Sequence, residues 1–461
     1  MLELENIQFT VQKGREELRL LKDVDLKVPT GHFMAIVGPS GCGKSTLLKL
    51  IAGINQETDG SIFWGGRNLS EEGDLEHSEI GYVPQFSIAY EELTVEENIE
   101  STIRLRAKTK GRDAFYELVD RVLAATGLES IRDRQVRVLS GGQKRRLSLA
   151  LELVTEPVLL LCDEVTSGLD PKSEQEIVRL MHQLSRNEHR IVVNVTHSLA
   201  NLELYDSVLV LDAGYVVYHG PPRAIEHYFS VEKAEDVYPQ LAKRESDAWS
   251  SSWGKHRDAY YADFTAPNTL PEGSVSAETP AAASQFFALL MRRWKIFFRD
   301  WGGLLLQFAI LIGFPILVAV FELDGVEQTV RLSDAYPDSP AAFEADVKDR
   351  TFNLNLGGLV SGLVMFQVIL LTLMGSNNAA REIAAERQIF EKEKLGGVRP
   401  GVYVASKVAF LSVLVIIQSL WMSIFVHSIC QIPSESMVAH TLLLLLVNGA
   451  MTFMCLGISR M

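Results

Sequence analysis

Four apolar blocks constrain this chain more than any other feature: about 304–321, 356–374, 408–426 and 441–457. Each reaches the roughly 17 to 25 residues that an α-helix needs to cross a bilayer. Inside a bilayer no water pairs with the backbone, and a helix satisfies its own polar groups. One such block could be a buried core helix; four in succession predict an all-α transmembrane domain over 303–461. The polar residues in or beside these blocks are Gln307, Gln367, Gln418, His427 and Asn448. They serve either a transport pathway or hydrogen bonds between helices.

The connections orient the blocks. Arg331, Lys348 and Arg350 lie between the first and second blocks. Arg381, Arg387, Lys392, Lys394, Arg399 and Lys407 lie between the second and third, and "HSICQIPSESMVAH" after the third has no Lys or Arg. By the positive-inside rule the second connection is cytosolic, and so are both termini. The N-terminus, "MLELENIQFTV", alternates like a strand and lacks a basic-then-apolar leader, so no cleavable signal is expected. Ahead of the first span, 285–302 reads as an amphipathic connector helix. Its Arg292, Arg293, Lys295 and Arg299 belong either to a packed connector or to a helix lying at lipid headgroups. Residues 231–284 are rich in Ser, Pro, Ala and charge, a linker composition.

Residues 1–230 differ in kind. Short aliphatic runs, "HFMAIVG", "VLLLCDE" and "RIVVNVTH", end in polar or glycine-rich turns and alternate with helical patterns. Such runs are central strands of an α/β sheet covered on both faces. The mean hydropathy of the whole chain, +0.10, is high, and the excess lies beyond Gly302. A net charge of -14 argues against non-specific nucleic-acid binding. Cys42, Cys162, Cys430 and Cys455 show no paired or metal-ligand spacing.

"GPSGCGKST" fits the phosphate-loop template between a strand and a helix. Gly38, Pro39, Ser40, Gly41, Cys42, Gly43, Lys44, Ser45 and Thr46 are the candidate ATP-phosphate ligands. Backbone N–H groups curl around phosphate there, Lys44 reaches the β- and γ-phosphates, and the Ser45 hydroxyl is placed for Mg²⁺. "VLLLCDE" ends a strand with two carboxylates: Asp163 to support Mg²⁺ and Glu164 to act as general base on water. His197 also closes a strand, where ligands collect in open α/β sheets.

A second glycine-rich loop, "LSGGQ" at 139–143, lies about a hundred residues after the first. With it, the ordered motifs resemble the nucleotide-binding domain of ABC transporters over roughly residues 2–229. The resemblance implies an α/β P-loop ATPase using ATP and Mg²⁺, with Gln85 as the Q-loop ligand near the metal and His197 as the catalytic switch histidine. It makes Ser140, Gly141, Gly142 and Gln143 the signature, and Asp170 in "SGLD" the D-loop residue. In this family the signature closes over the ATP of a second nucleotide-binding domain, so one chain with one domain implies a partner chain. Val11 occupies the place where many relatives stack an aromatic on adenine. Phe9 is nearby on the same alternating strand.

An ATPase preceding its membrane domain is similar to the ABCG (white-type) half-transporters. The segment "NNAAREIAAERQIFEKEKLGGVRPGVYVASKVAF" resembles their intracellular loop, which takes up motion from the ATPase. That resemblance implies a multi-pass membrane dimer, homo- or heteromeric, that exports a lipid-like or amphipathic solute. The alternative is a non-transporting half-subunit that binds ATP and pairs. The family's membrane domain has six spans against four here, so the chain is expected to be either a fragment or a reduced fold.

Overall fold

A computed structural model describes all residues except 15, 74, 87, 187–189, 263–278, 321–328, 333–338, 432–436 and 460–461. The chain divides into two units: Met1–Ala281 with Leu395–Val398, and Ala282–Lys394 with Arg399–Met461.

The first unit is an α/β P-loop fold. Its strands and helices run β1 (Leu2–Lys13), β2 (Glu16–Val28), β3 (Phe33–Val37), α1 (Lys44–Ile51), β4 (Asp59–Trp64), β5 (Arg67–Asn68), α2 (Leu69–Glu72) and β6 (Ile80–Val83). They continue through α3 (Val95–Arg106), α4 (Arg112–Thr126), α5 (Gly141–Leu153), β7 (Leu159–Asp163), α6 (Pro171–Arg186), β8 (Ile191–Val195), β9 (Ser207–Asp212) and β10 (Tyr215–Gly220). The unit closes with α7 (Pro222–Phe229), α8 (Val237–Leu241) and α9 (Ser246–Ala262).

A six-stranded sheet has the order β10-β9-β3-β8-β7-β6 and is parallel from β9 through β6. Every residue of β3, β7 and β8 is buried, as their unbroken aliphatic runs require. A smaller antiparallel sheet, β2-β1-β4-β5, flanks it. On β1, Phe9 packs against the sheet core and Val11 is half-buried. A second apolar cluster unites α3, α4 and α5, including Ile99, Val119, Leu139 and Leu147. Sheet and helical lobe therefore have separate cores.

The expected linker 231–284 is folded over much of its length. Helices α8 and α9 belong to the first unit, and Trp249 and Trp253 of α9 join the sheet core. Behind α9 runs a chain of buried hydrogen bonds: His32 Nε2 to Ser207 Oγ at 2.8 Å, Ser207 Oγ to His219 Nε2 at 3.0 Å, and His219 Nδ1 to the Tyr261 hydroxyl at 2.9 Å. Aromatic burial exceeds what a linker composition predicts, because the two tryptophans, four residues apart, face one way on the helix.

The second unit is helical: α10 (Ala282–Arg299), α11 (Trp301–Ala319), α12 (Pro340–Ala379), α13 (Arg387–Leu395), α14 (Pro400–Cys430) and α15 (Met437–Ser459). Among the described residues, four helices are long and apolar enough to cross a membrane by length and composition: α11, α12, α14 and α15. Helices α12, α14 and α15 each contain one of the apolar blocks, and α11 covers residues 304–319 of the first. The connector appears as α10, which buries Leu289 and Ile296 and exposes Phe287, Met291 and Phe298. Two of its arginines are ion-paired. Arg292 pairs with Glu393, and Arg293 Nη2 lies 2.8 Å from Glu382 Oε2. Glu382 also accepts from Lys407 at 3.0 Å, and Glu386 accepts from Lys407 at 2.7 Å and from the Tyr403 hydroxyl at 2.9 Å. Burial would raise the Glu386 carboxyl, but Lys407, Arg292 and Tyr403 outweigh it and hold it below the usual range.

The amides in the spans hold helices together. Gln307 Nε2 donates to Asn378 Oδ1 at 2.6 Å, Asn378 Nδ2 to Gln418 Oε1 at 3.1 Å, and Gln418 Nε2 to Gln307 Oε1 at 3.3 Å. Asn448 Nδ2 reaches Ser419 Oγ at 3.3 Å. One network thus joins α11, α12, α14 and α15. Gln367 differs: it is fully buried, and neither amide atom has a partner among the described residues.

Burial pulls His32 down to about 4 and His219 to about 3. Both stay neutral in the folded unit at pH 5, whereas unfolded histidines take up protons below about 6.5. The unfolded state then binds more protons, so stability falls as pH drops from 6.5. Between pH 6.5 and 5 the loss should be about 2 kcal/mol per histidine. Thermal unfolding followed by tryptophan emission should show a falling midpoint over that range, with a shallower slope in His219→Gln.

Candidate nucleotide site

The parallel sheet fixes the site, because β3, β8, β7 and β6 are neighbours and end on one edge. The phosphate loop leaves β3 and enters α1. Gly38 has φ 152°, and a Cβ there would lie 2.1 Å from the Leu211 carbonyl oxygen. Gly43 has φ 108°, and its Cβ would lie 2.9 Å from Leu21. Only glycine fits either place. Lys44 is buried and donates to the carbonyls of Gly38 and Pro39 at 2.8 Å, so its ammonium is held inside the curl of the loop. Ser40, Gly41, Cys42 and Thr46 complete that turn and the first helical residues. Burial pushes the Cys42 thiol up, against the opposing pull of Lys44.

Two clusters form beside the loop. In the first, Ser45 Oγ donates to Asp163 Oδ1 at 2.8 Å, and the Tyr82 hydroxyl donates to Asp163 Oδ2 at 3.2 Å. A hydroxyl and a carboxylate at the start of a phosphate-binding helix are the oxygen donors that Mg²⁺ takes. In the second, Glu164 sits between Gln85 and His197. Gln85 Nε2 donates to Glu164 Oε2 at 2.7 Å, and His197 Nε2 lies 2.7 Å from Glu164 Oε1. With its amide nitrogen on Glu164, Gln85 has its amide oxygen to offer a metal.

Glu164 has φ 50°, a left-handed conformation that costs a non-glycine residue on the order of 1–3 kcal/mol. Its backbone N–H is fixed to the Val195 carbonyl at 3.0 Å and its carbonyl to the Ser167 N–H at 3.0 Å. The strained turn aims the carboxylate along the row of strand ends. A pocket of about 170 Å³ opens beside it, lined by Thr166, Gly168, Glu174 and His197.

The signature lies on the helical lobe. Ser140 caps α5: its hydroxyl accepts from Gln143 N at 3.3 Å, and its N–H donates to Gln143 Oε1 at 3.0 Å. Gly141 is exposed, and the nearest neighbours of Gly141 and Gly142 are Leu169 and Ser173, beside the D-loop. Asp170 caps α6 with hydrogen bonds of 3.1 Å from Lys172 N and Ser173 N, which hold its carboxyl below the usual range, Ser173 most strongly.

Three contributors escaped sequence reasoning. Tyr82 holds Asp163, the Arg145 guanidinium bonds the Gln85 carbonyl, and the Tyr238 hydroxyl reaches the His197 carbonyl at 3.4 Å. No sequence signal marked Tyr82: it comes to the site through the pairing of β6 with β7, which sets Tyr82 opposite Leu161.

Residues 21–167 match the family model described as ABC transporter, and residues 284–461 match that described as ABC-2 type transporter. The Mycobacterium tuberculosis ABC transporter ATP-binding/permease protein Rv1747 is 30% identical over 438 residues, 92% of this chain and 46% of that protein. This chain therefore spans about half the length of that relative. The Yersinia pestis maltose/maltodextrin import ATP-binding protein MalK is 35% identical over 220 residues, 48% of this chain and 59% of MalK. A dimeric structure of the ATP-binding cassette MJ0796 is 29% identical with a TM-score of 0.44, covering 48% of this chain and 99% of the cassette.

Glu164→Gln should keep ATP binding and lose at least about a hundredfold in hydrolysis, the scale of general-base catalysis. Lys44→Ala should instead weaken nucleotide binding. Fluorescent-ATP titration with phosphate release on the same samples separates the two. Full hydrolysis by Glu164→Gln would remove Glu164 from the base role.

Proposed function

We propose that the chain, which is similar to ABC transporters in its first part and to ABC-2 type transporters in its second, is the ATP-hydrolysing half of a dimeric exporter of lipid-like or amphipathic solutes. The observation that carries the proposal is Glu164, held between Gln85 and His197 and one residue from the Asp163–Ser45 pair. A base on the attacking water and oxygen ligands at the phosphates are the parts that phosphoryl transfer to water needs.

In this reading Lys44 and the loop N–H groups hold the phosphates. Mg²⁺, held by Ser45 and Asp163 with Gln85 beside them, neutralises charge on the phosphates when bound. Glu164 accepts the proton of the attacking water, and His197 keeps its carboxylate oriented. Ser140, Gly141, Gly142 and Gln143 complete the site of a partner chain, with Asp170 bordering them. The exposed α5 N-terminus supports that role, because a capped helix start with glycines at the surface can approach phosphate from outside.

The ATPase faces the cytosol, as the Lys and Arg of the second connection favour. The membrane helices are apolar, and the amides of Gln307, Asn378 and Gln418 are spent on one another. That favours a cargo carried along apolar surface.

The purified chain in liposomes should hydrolyse ATP severalfold faster with an amphipathic cargo than without, and should move a fluorescent lipid analogue only with ATP. Basal hydrolysis that no amphiphile changes, with no ATP-dependent movement, would establish a non-transporting half-subunit instead.

A further inference from the structure

Two histidines outside the nucleotide site face each other in the second unit. His427 is three residues before the last of α14, and His440 is the fourth residue of α15. Their ring centres are 5.0 Å apart with planes inclined at 38°. His427 is 92% buried, being 8% exposed. Its Nδ1 lies 3.1 Å from the Ser423 carbonyl oxygen. A carbonyl oxygen only accepts, so Nδ1 carries the proton and Nε2 presents a lone pair. The Nε2 atoms of both His427 and His440 are buried and have no hydrogen-bond partner among the described residues. Buried ring nitrogens are rarely left so, because the lost hydration goes uncompensated.

We propose that His427 and His440 bind a borderline-soft divalent transition cation, of which Zn²⁺ is the probe, near the end of the α14–α15 hairpin. Two imidazoles on one tetrahedral zinc at about 2.0 Å have ring centres about 5 Å apart, which is the separation found. The Nδ1–H bond to a backbone carbonyl is the outer contact that fixes a metal-binding histidine in the Nε2 tautomer. No Lys or Arg occurs from Val408 through Ser459, so neither helix carries a fixed cation along that stretch to oppose a divalent ion. Among the described residues no third His, Cys, Asp or Glu completes a cluster. The described residues supply two ligands and leave positions for solvent or an exogenous ligand, which makes the site open and exchangeable.

The test uses the full chain in detergent, stripped with chelator and titrated with ZnCl₂. His427→Gln should weaken the tightest site by more than about a hundredfold, beyond the usual effect of an outer-contact change alone. His427→Gln/His440→Gln should lose that site. His427→Cys/His440→Cys should recover it, since thiolates are also zinc ligands, and recovery distinguishes ligand loss from misfolding. Zinc X-ray absorption should then show nitrogen at about 2.0 Å in the unmodified chain and sulfur at about 2.3 Å in the cysteine pair. Equal zinc uptake by the unmodified chain and the double glutamine variant overturns the proposal. So does a cysteine pair whose zinc gains no sulfur over the unmodified chain.

Discussion

A parallel sheet delivers the ends of neighbouring strands to one edge, and the nucleotide site depends on that constraint. Strands β3, β8, β7 and β6 lie side by side. The phosphate loop, His197, the Asp163–Glu164 pair and Gln85 consequently meet without any long-range search by side chains. Register refines the meeting: Asp163 lies opposite Val195, two residues before His197. The left-handed turn at Glu164 then separates two adjacent carboxylates into different tasks, Asp163 toward Ser45 and Glu164 toward Gln85 and His197. A relaxed extended Glu164 would point to the other face of the strand.

The second unit answers a different constraint. Its helices satisfy their own backbones, so what remains is side-chain polarity, and the structure pairs most of it. Gln307, Asn378 and Gln418 close a ring of amide hydrogen bonds across three helices. At the ends of the spans, Arg292, Arg293 and Lys407 meet Glu393, Glu382 and Glu386. A buried cation needs a bonded anion to offset desolvation. The pairing ties α10 to the segment between α12 and α14.

The motifs were legible because central parallel strands read as unbroken aliphatic runs and because phosphate binding demands glycines where backbone must turn. Helix α9 was not. Ser and Gly in "SDAWSSSWGKHRDAYYA" mimic a linker, while the spacing of Trp249 and Trp253 that docks it is a two-residue signal. Tyr82 and Arg145 were hidden for another reason: each acts on a motif residue far away in sequence, through strand register or helix packing. The span amides were open to two readings, and only their mutual distances favour helix cohesion. The arginines of α10 looked free for headgroups because sequence spacing says nothing about carboxylates a hundred residues later.

The phosphate loop and the signature, each beside its own hydrophobic core, lead to the central proposal that the signature serves a partner's ATP. A purified, doubly tagged mixed dimer of one Ser140→Arg chain and one Lys44→Ala chain tests it. With the signature acting across the dimer, both lesions fall on one composite site, and the other site keeps an intact loop and an intact signature. That dimer should hydrolyse ATP at roughly the rate of a single intact site, while each mutant paired with itself is inactive. Activity in the mixed dimer no greater than in the two homodimers would contradict the account.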